Sequence, residues 1–328
     1  DYRPINLYDF NILIIDEAQD MTKLYYTLLK KYIKDSKNNN FQIVALGDKF
    51  QGIYDFKEAD TRFLTLADKL WEDKTRNMYT LPLNTSYRLT DNMSWFINNF
   101  IIGEERIITC KQNHIPITYI EQNLWREVPL TLFNIIKKYV RSNKYKYEDI
   151  FILSPSIKSR NAPYKSLEHL LVNNYFNVYV PMSDDKCSDD EILSKKIVFS
   201  TFHQSKGLQR KLVIIYNFDN SYFKYYGKNY DDRVCPSPMY VALTRATEEL
   251  ILIKNTTDDP LPFLKTNMIE LGFKYPDKIN CISNNPKPLD RLISLKNEKE
   301  IYHETSVTDL IAYLKTTIIE KLSPLVEE

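Results

Sequence analysis

The densest chemistry in the 328-residue chain lies at Asp16-Glu17-Ala18-Gln19-Asp20. It follows Asn11-Ile12-Leu13-Ile14-Ile15, an aliphatic run of the kind buried on both faces of a parallel sheet. A strand ending in two adjacent carboxylates sets both at the carboxyl edge of such a sheet, where ligands bind. One carboxylate can hold Mg²⁺ while its neighbour orients or deprotonates an attacking water. The plain alternative is a solvated acidic turn. A second segment, Gly47-Asp48-Lys49-Phe50-Gln51-Gly52-Ile53-Tyr54-Asp55-Phe56, follows a second apolar run. Gly47 lets the backbone turn tightly after that strand. Gln51 is a neutral group able to sense a phosphate or a water by hydrogen bonds. Tyr54 and Phe56 can stack on splayed bases, or can be core aromatics of a hairpin turn.

The elements that position these residues alternate. Strands are expected over 11–15 and 41–46, with a short one at 81–83. Asp20 is a candidate cap for a helix over 21–34, Asp60 for one reaching about Trp71, and Thr90 for one through Phe100. A second block has strands over 116–120, 150–153, 178–180, 197–201, 212–216 and 249–253, with helices over 129–141, 163–172 and 237–246. Alternation of this kind argues for doubly wound parallel sheets, an α/β fold.

Composition sets bounds rather than function. There are 44 Lys and Arg against 43 Asp and Glu, so a nucleic-acid surface must be a local basic stripe. Cys110, Cys187, Cys235 and Cys281 have no metal-ligand spacing, which excludes a zinc module and suits a reducing intracellular compartment. No apolar run approaches a membrane span, and no signal peptide opens the chain.

Taken together and in order, five blocks resemble the motifs of UvrD/Rep-like superfamily 1 DNA helicases. DEAQD resembles motif II and GDKFQGIYDF motif III. Leu83-Asn84-Thr85-Ser86-Tyr87-Arg88 resembles motif IV. Thr201-Phe202-His203-Gln204-Ser205-Lys206-Gly207-Leu208-Gln209 resembles motif V, and Tyr240-Val241-Ala242-Leu243-Thr244-Arg245-Ala246 motif VI. The resemblance implies two RecA-like parallel-sheet domains of a P-loop NTPase core, the first one incomplete, with ATP and Mg²⁺ between them. It implies domains at 1–100 and 101–265, then a linker and a closing helix over 266–328. By the same resemblance Asp16 holds the metal, Glu17 activates water and Gln51 contacts the γ-phosphate. Tyr87 stacks on adenine, Arg88 reaches the γ-phosphate and Arg245 is the arginine finger. Gly207 and Gln209 lie at the nucleotide. Tyr54, Phe56, Thr201, His203 and Lys206 line single-stranded DNA, and motif V leaves RNA open as the strand. Phosphoryl transfer needs positive charge on the γ-phosphate oxygens, which an arginine supplies; without that context Arg245 would pair with an acid such as Glu248.

The sequence also departs from the family pattern. No Gly-Lys-Thr or Gly-Lys-Ser phosphate loop occurs in it, and the resemblance implies that one precedes Asp1. Gln209 stands where the family carries Glu, Ser86 where it carries Asn, and Phe56 where many relatives have Trp. The basic cluster Lys137, Lys138, Arg141, Lys144 and Lys146, with interleaved tyrosines, reads as a solvated helix end or an accessory nucleic-acid face. The aromatic stretch 218–230 reads as a surface insertion. A scaffolding module that keeps the helicase fold without catalysis is the competing reading.

Overall fold

The computed structural model describes residues 10–36, 38, 41–71, 77–158, 162–181 and 190–284. The closing helix expected over 307–322 lies outside the described residues.

The chain opens with β1 (Ile12–Ile15), α1 (Lys23–Lys34), β2 (Gln42–Ala45), α2 (Arg62–Thr65) and α3 (Ala67–Trp71). β1 and β2 pair in parallel. Ile15, Ala18, Met21 and Trp71 form a small core, with Leu13, Tyr26, Ile43 and Phe63 packed on it. The aliphatic run was expected to be covered on both faces. Instead Ile12 and Ile14 are 54% and 61% exposed, because the alternate residues Leu13 and Ile15 alone face the small core. Thr22, not Asp20, caps α1, its Oγ accepting the Tyr25 N–H at 3.3 Å. Asp60 accepts the Arg62 N–H at 2.9 Å just ahead of α2, whose cap position is Thr61, and the single helix expected to reach Trp71 is broken at Leu66 into α2 and α3.

β3 (Thr85–Thr90), α4 (Asp91–Phe96) with a π-helical continuation to Ile102, and β4 (Ile108–Lys111) follow. The short strand expected at 81–83 is instead an exposed irregular stretch, with Leu81 and Leu83 facing outward. β3 and β4 form a second small parallel pair. Although residues up to about 100 were assigned to the first domain, Met93, Phe96, Ile97 and Ile101 are buried in the core of the large sheet. The apolar stripe of this helix chooses its neighbour, and the large sheet offers the wider apolar face.

The large sheet is built from β5 (Ile117–Gln122), β6 (Ile150–Ser154), β7 (Val178–Tyr179), β8 (Ile197–Thr201), β9 (Arg210–Ile215), β10 (Ala246–Asn255) and β11 (Ile279–Ser283). Its order is β11-β5-β10-β9-β6-β8-β7, and all neighbours are parallel. The helices are α5 (Val128–Arg141), α6 (Tyr164–Asn173), α7 (Asp190–Leu193), α8 (Ser221–Tyr225), α9 (Ser237–Leu243) and α10 (Met268–Lys274). Side chains alternate across the sheet. In β9, Leu212 and Ile214 face α5 and α6, while Val213 and Ile215 face the core shared with α4 and α9. Covered strands of this kind need aliphatic residues at every position, which is why they read as runs. The mixed α/β fold with a doubly wound parallel sheet is as the sequence implied. No helix among the described residues is long and apolar enough to cross a membrane.

One secondary reading is corrected, while the basic cluster is a solvated helix end with Lys138, Arg141 and Lys146 exposed. The stretch 218–230 is not a surface insertion, since Phe218, Tyr222 and Phe223 are core residues and, of its six aromatics, only Tyr225 and Tyr226 are exposed. The tyrosines of the basic cluster serve the interior: Tyr139 donates to Glu249 at 2.6 Å and Tyr145 at 3.2 Å. Lys144 ion-pairs with the same buried carboxylate at 2.6 Å.

Candidate active site and nucleic-acid groove

The turn after β1 and the turn after β2 are tied together. Glu17 sits in the left-handed region at φ 51°, a conformation that costs a non-glycine residue roughly 1–2 kcal/mol. Asp16 Oδ1 accepts the Glu17 N–H at 2.9 Å. The buried Gln19 side chain donates to Glu17 Oε2 and accepts the Asp48 N–H at 3.1 Å. Gly47 has no positive φ; it is required because a Cβ there would overlap Gln19 Oε1. The tight turn expected of Gly47 is thus a close approach instead.

Asp20, expected to cap α1, reaches the large-sheet lobe. Lys206 Nζ contacts its Oδ2, donates to the Gln51 carbonyl at 2.9 Å and lies 3.3 Å from Glu17 Oε2. Burial raises the Asp20 pKa against the opposing pull of Lys206. Asp16 and Glu17 are exposed.

Across the seam, the residues after β8 and before β9 and β10 face these turns. Arg245 is buried at 2% exposure. Its Nε donates to the Val241 carbonyl at 2.8 Å, the last turn of α9 holding the side chain, and its NH2 reaches Gln51 Oε1 at 3.3 Å. Gln51 Nε2 in turn donates to Asp48 at 3.0 Å. The expected alternative partner Glu248 is not used. Burial, reinforced by the charge of Arg88, pulls the Arg245 guanidinium down to about 10. Arg88 is half-buried, and burial lowers its pKa too. It donates through Nε to Gln209 Oε1 at 2.9 Å and through NH1 to the Thr244 carbonyl at 3.3 Å. Arg88, Gln209, Gln51 and the exposed Tyr87 line one cleft of about 710 Å³. Gly207 adopts φ 80°, which only glycine takes without strain, and turns the chain between Lys206 and Gln209.

Sequence reasoning passed over Asp48, Arg106 and Tyr240 in this cleft. Asp48 accepts from Arg106 at 2.9 Å and from the Tyr240 hydroxyl at 3.3 Å, and Arg106 lies over the Phe50 ring at 5.0 Å. Asp48 and Tyr240 stood inside quoted motifs, but nothing in their types distinguished them from turn and core residues. Arg106 lies in no motif.

A second cleft, of about 640 Å³, is lined by Phe56, His203, Tyr225, Tyr226 and Tyr230 among others. Phe56 is 67% exposed and meets the His203 ring edge-on at 6.0 Å. Tyr54 is half-buried beneath the ammonium groups of Lys57 and Lys206, at 5.1 and 5.2 Å. Thr201 is buried, its Oγ accepting the Gln204 N–H at 3.1 Å. The structure therefore brings Phe56 and His203 to one open groove. It places Thr201 beneath the strap after β8, and Lys206 in the seam on carboxylates.

Among the described residues no group of three or more His, Cys, Asp or Glu is placed to hold a metal ion. Mg²⁺ needs only one or two carboxylates when phosphates complete its shell, and the exposed Asp16 at the strand end fits that role.

Comparison with known proteins agrees with the motif order. The sequence profile of the UvrD/REP helicase N-terminal domain matches residues 7–71. The ATP-dependent DNA helicases PcrA of Staphylococcus aureus strains Mu50 and NCTC 8325 are each 28% identical over 149 residues. That match covers 44% of this chain and 19% of each relative, so the chain aligns with about a fifth of their length. A crystal structure of the C-terminal domain of a possible DNA helicase from Lactobacillus plantarum WCFS1 overlays with TM-score 0.39 and 16% identity, covering 61% of this chain and 99% of that one. By the profile match over residues 7–71 and the PcrA alignments, this chain is similar to the UvrD/Rep helicases.

Proposed function

We propose that the chain is part of an ATP-dependent DNA helicase or translocase that moves along single-stranded DNA, 3′ to 5′, in repair, recombination or replication. The observation that carries the reading is the pair of guanidiniums, Arg88 and Arg245, held in one seam by neutral acceptors. Among the described residues neither has a carboxylate in ion-pair contact. Positive charge with no carboxylate in direct contact suits a triphosphate.

In this reading Arg245 is the finger and Gln51, hydrogen-bonded to it, senses the γ-phosphate. Glu17 orients the water and Asp16 holds Mg²⁺, which would supply charge neutralisation on the phosphate oxygens. Tyr87 and Gln209 face the base and ribose, with Gly207 shaping the turn between them. The groove of Phe56 and His203 takes the bases and sugar–phosphate chain, with Tyr54, Thr201 and Lys206 as its supports. Stacking on exposed rings is tolerant of sequence, as a translocating motor requires.

The test is DNA-stimulated ATP hydrolysis by the protein that carries this sequence together with a phosphate loop. Glu17→Gln should retain ATP binding and abolish turnover. Arg245→Ala should lower the rate by about 10³ or more, and a loss of less than about tenfold would make Arg245 structural. The 328-residue chain alone, with no Gly-Lys-Thr or Gly-Lys-Ser loop, should hydrolyse ATP negligibly. The second reading is a nucleic-acid-binding scaffold that keeps the helicase fold without catalysis. Wild-type protein with a loop that binds single-stranded DNA yet never turns over ATP would establish it. Competition between matched DNA and RNA strands decides the substrate.

A further inference from the structure

The cations lining the nucleotide-sized cleft are compensated differently. Arg106 has the Asp48 carboxylate at 2.9 Å, and Lys211 has Asp149 at 3.5 Å. Lys111 donates to the Thr247 carbonyl at 3.0 Å, and Arg88 has two neutral acceptors, the Gln209 side chain and the Thr244 carbonyl. A guanidinium only donates, so the Gln209 amide must turn its oxygen to Arg88, leaving its NH2 group as a further donor. The bond to Nε fixes the plane of the guanidinium, since Nε–H has a single direction. A carboxylate at position 209 would form an ion pair with Arg88 and offset the charge it positions.

We propose that Gln209 is a positioning residue that aims the Arg88 guanidinium into the cleft while leaving its charge intact, so that affinity rises with the number of phosphate charges on the ligand. The inference rests on the reading of the cleft as a phosphate site. Gln209 sits on the strap after β8, just before β9, and Arg88 on β3, so the bond also fixes where two separate elements of the cleft wall meet.

The experiment is calorimetric titration of the 328-residue chain with inorganic tripolyphosphate and with orthophosphate at one ionic strength. The wild type is compared with Gln209→Glu, Gln209→Ala, Arg88→Met and the double variant Arg88→Met/Gln209→Glu. Gln209 is exposed, so its variants should fold, and their thermal midpoints are recorded alongside. Wild type should prefer tripolyphosphate. Gln209→Glu should lose about tenfold of that affinity, and Gln209→Ala about threefold, because the charge stays while the aim is lost. In the Arg88→Met background, Gln209→Glu should cost under about threefold, since its effect acts through Arg88. An equal cost with and without Arg88 would mean simple repulsion, and the positioning role would be overturned while the phosphate reading stood. Absence of tripolyphosphate binding by wild type, or no loss in Arg88→Met, would overturn the phosphate reading and the proposal with it.

Discussion

At the scale of single residues, exposure decides what each aromatic does. Phe56 spends most of its surface on solvent in a groove, so Phe56→Ala should leave stability nearly unchanged and weaken single-stranded DNA binding about tenfold, read by fluorescence anisotropy. Gly47→Ala should act in the opposite way. Its methyl would displace Gln19 from Glu17 and from the Asp48 N–H, costing about 2 kcal/mol in urea unfolding. Order and spacing singled out Asp16, Glu17, Gln51, Arg88 and Arg245, of which the structure brings Gln51 and Arg245 into hydrogen-bond contact and Gln51 and Arg88 to one cleft. The reason for Gly47 was not, because the constraint is a side chain 28 positions away in sequence rather than a local dihedral.

At the scale of elements, strands covered on both faces were the easiest to read, for their aliphatic runs leave little ambiguity. The large sheet follows the expected segments except at its edge, where α10 and β11 lie in the stretch from 266 that was expected to be a linker, and 81–83 is irregular rather than a strand. Caps were less legible, because Asp20 and Thr22 are both good capping types and only tertiary contact separates them. Asp20 is held by Lys206 from the strap after β8, and that pairing makes a pH-dependent prediction. Burial raises the Asp20 pKa, so the folded state takes up a proton between the ordinary carboxylate value and the raised one. Its contribution to stability is therefore greatest in acid and falls as pH rises through that window. Lys206→Met removes the opposing pull and enlarges the cost of the ionised carboxylate. The variant should be about 2 kcal/mol less stable than wild type at neutral pH, with the gap closing as Asp20 protonates, measured by urea unfolding across the pH range. A gap independent of pH would place the effect elsewhere. Lys144→Met should also cost stability, by leaving the buried Glu249 carboxylate with only the two tyrosine hydroxyls.

At the scale of the whole molecule, motif order in the sequence announced a two-sided site, and the structure faces the carboxyl ends of β1 and β2 toward the starting ends of β9 and β10. Rules about the carboxyl edge of parallel sheets foretell the first side only. The helix after β3 was assigned by its place in sequence, yet its apolar stripe joined the larger core, a choice that only tertiary packing makes. The polar contacts between the two sides are Lys206 on Asp20, Arg245 on Gln51, and Arg106 and Tyr240 on Asp48, while Phe50 packs on the large core and Ile53 is buried. Added electrolyte screens the first kind of contact and leaves the second untouched, so salt should loosen this junction only as far as its ion pairs hold it.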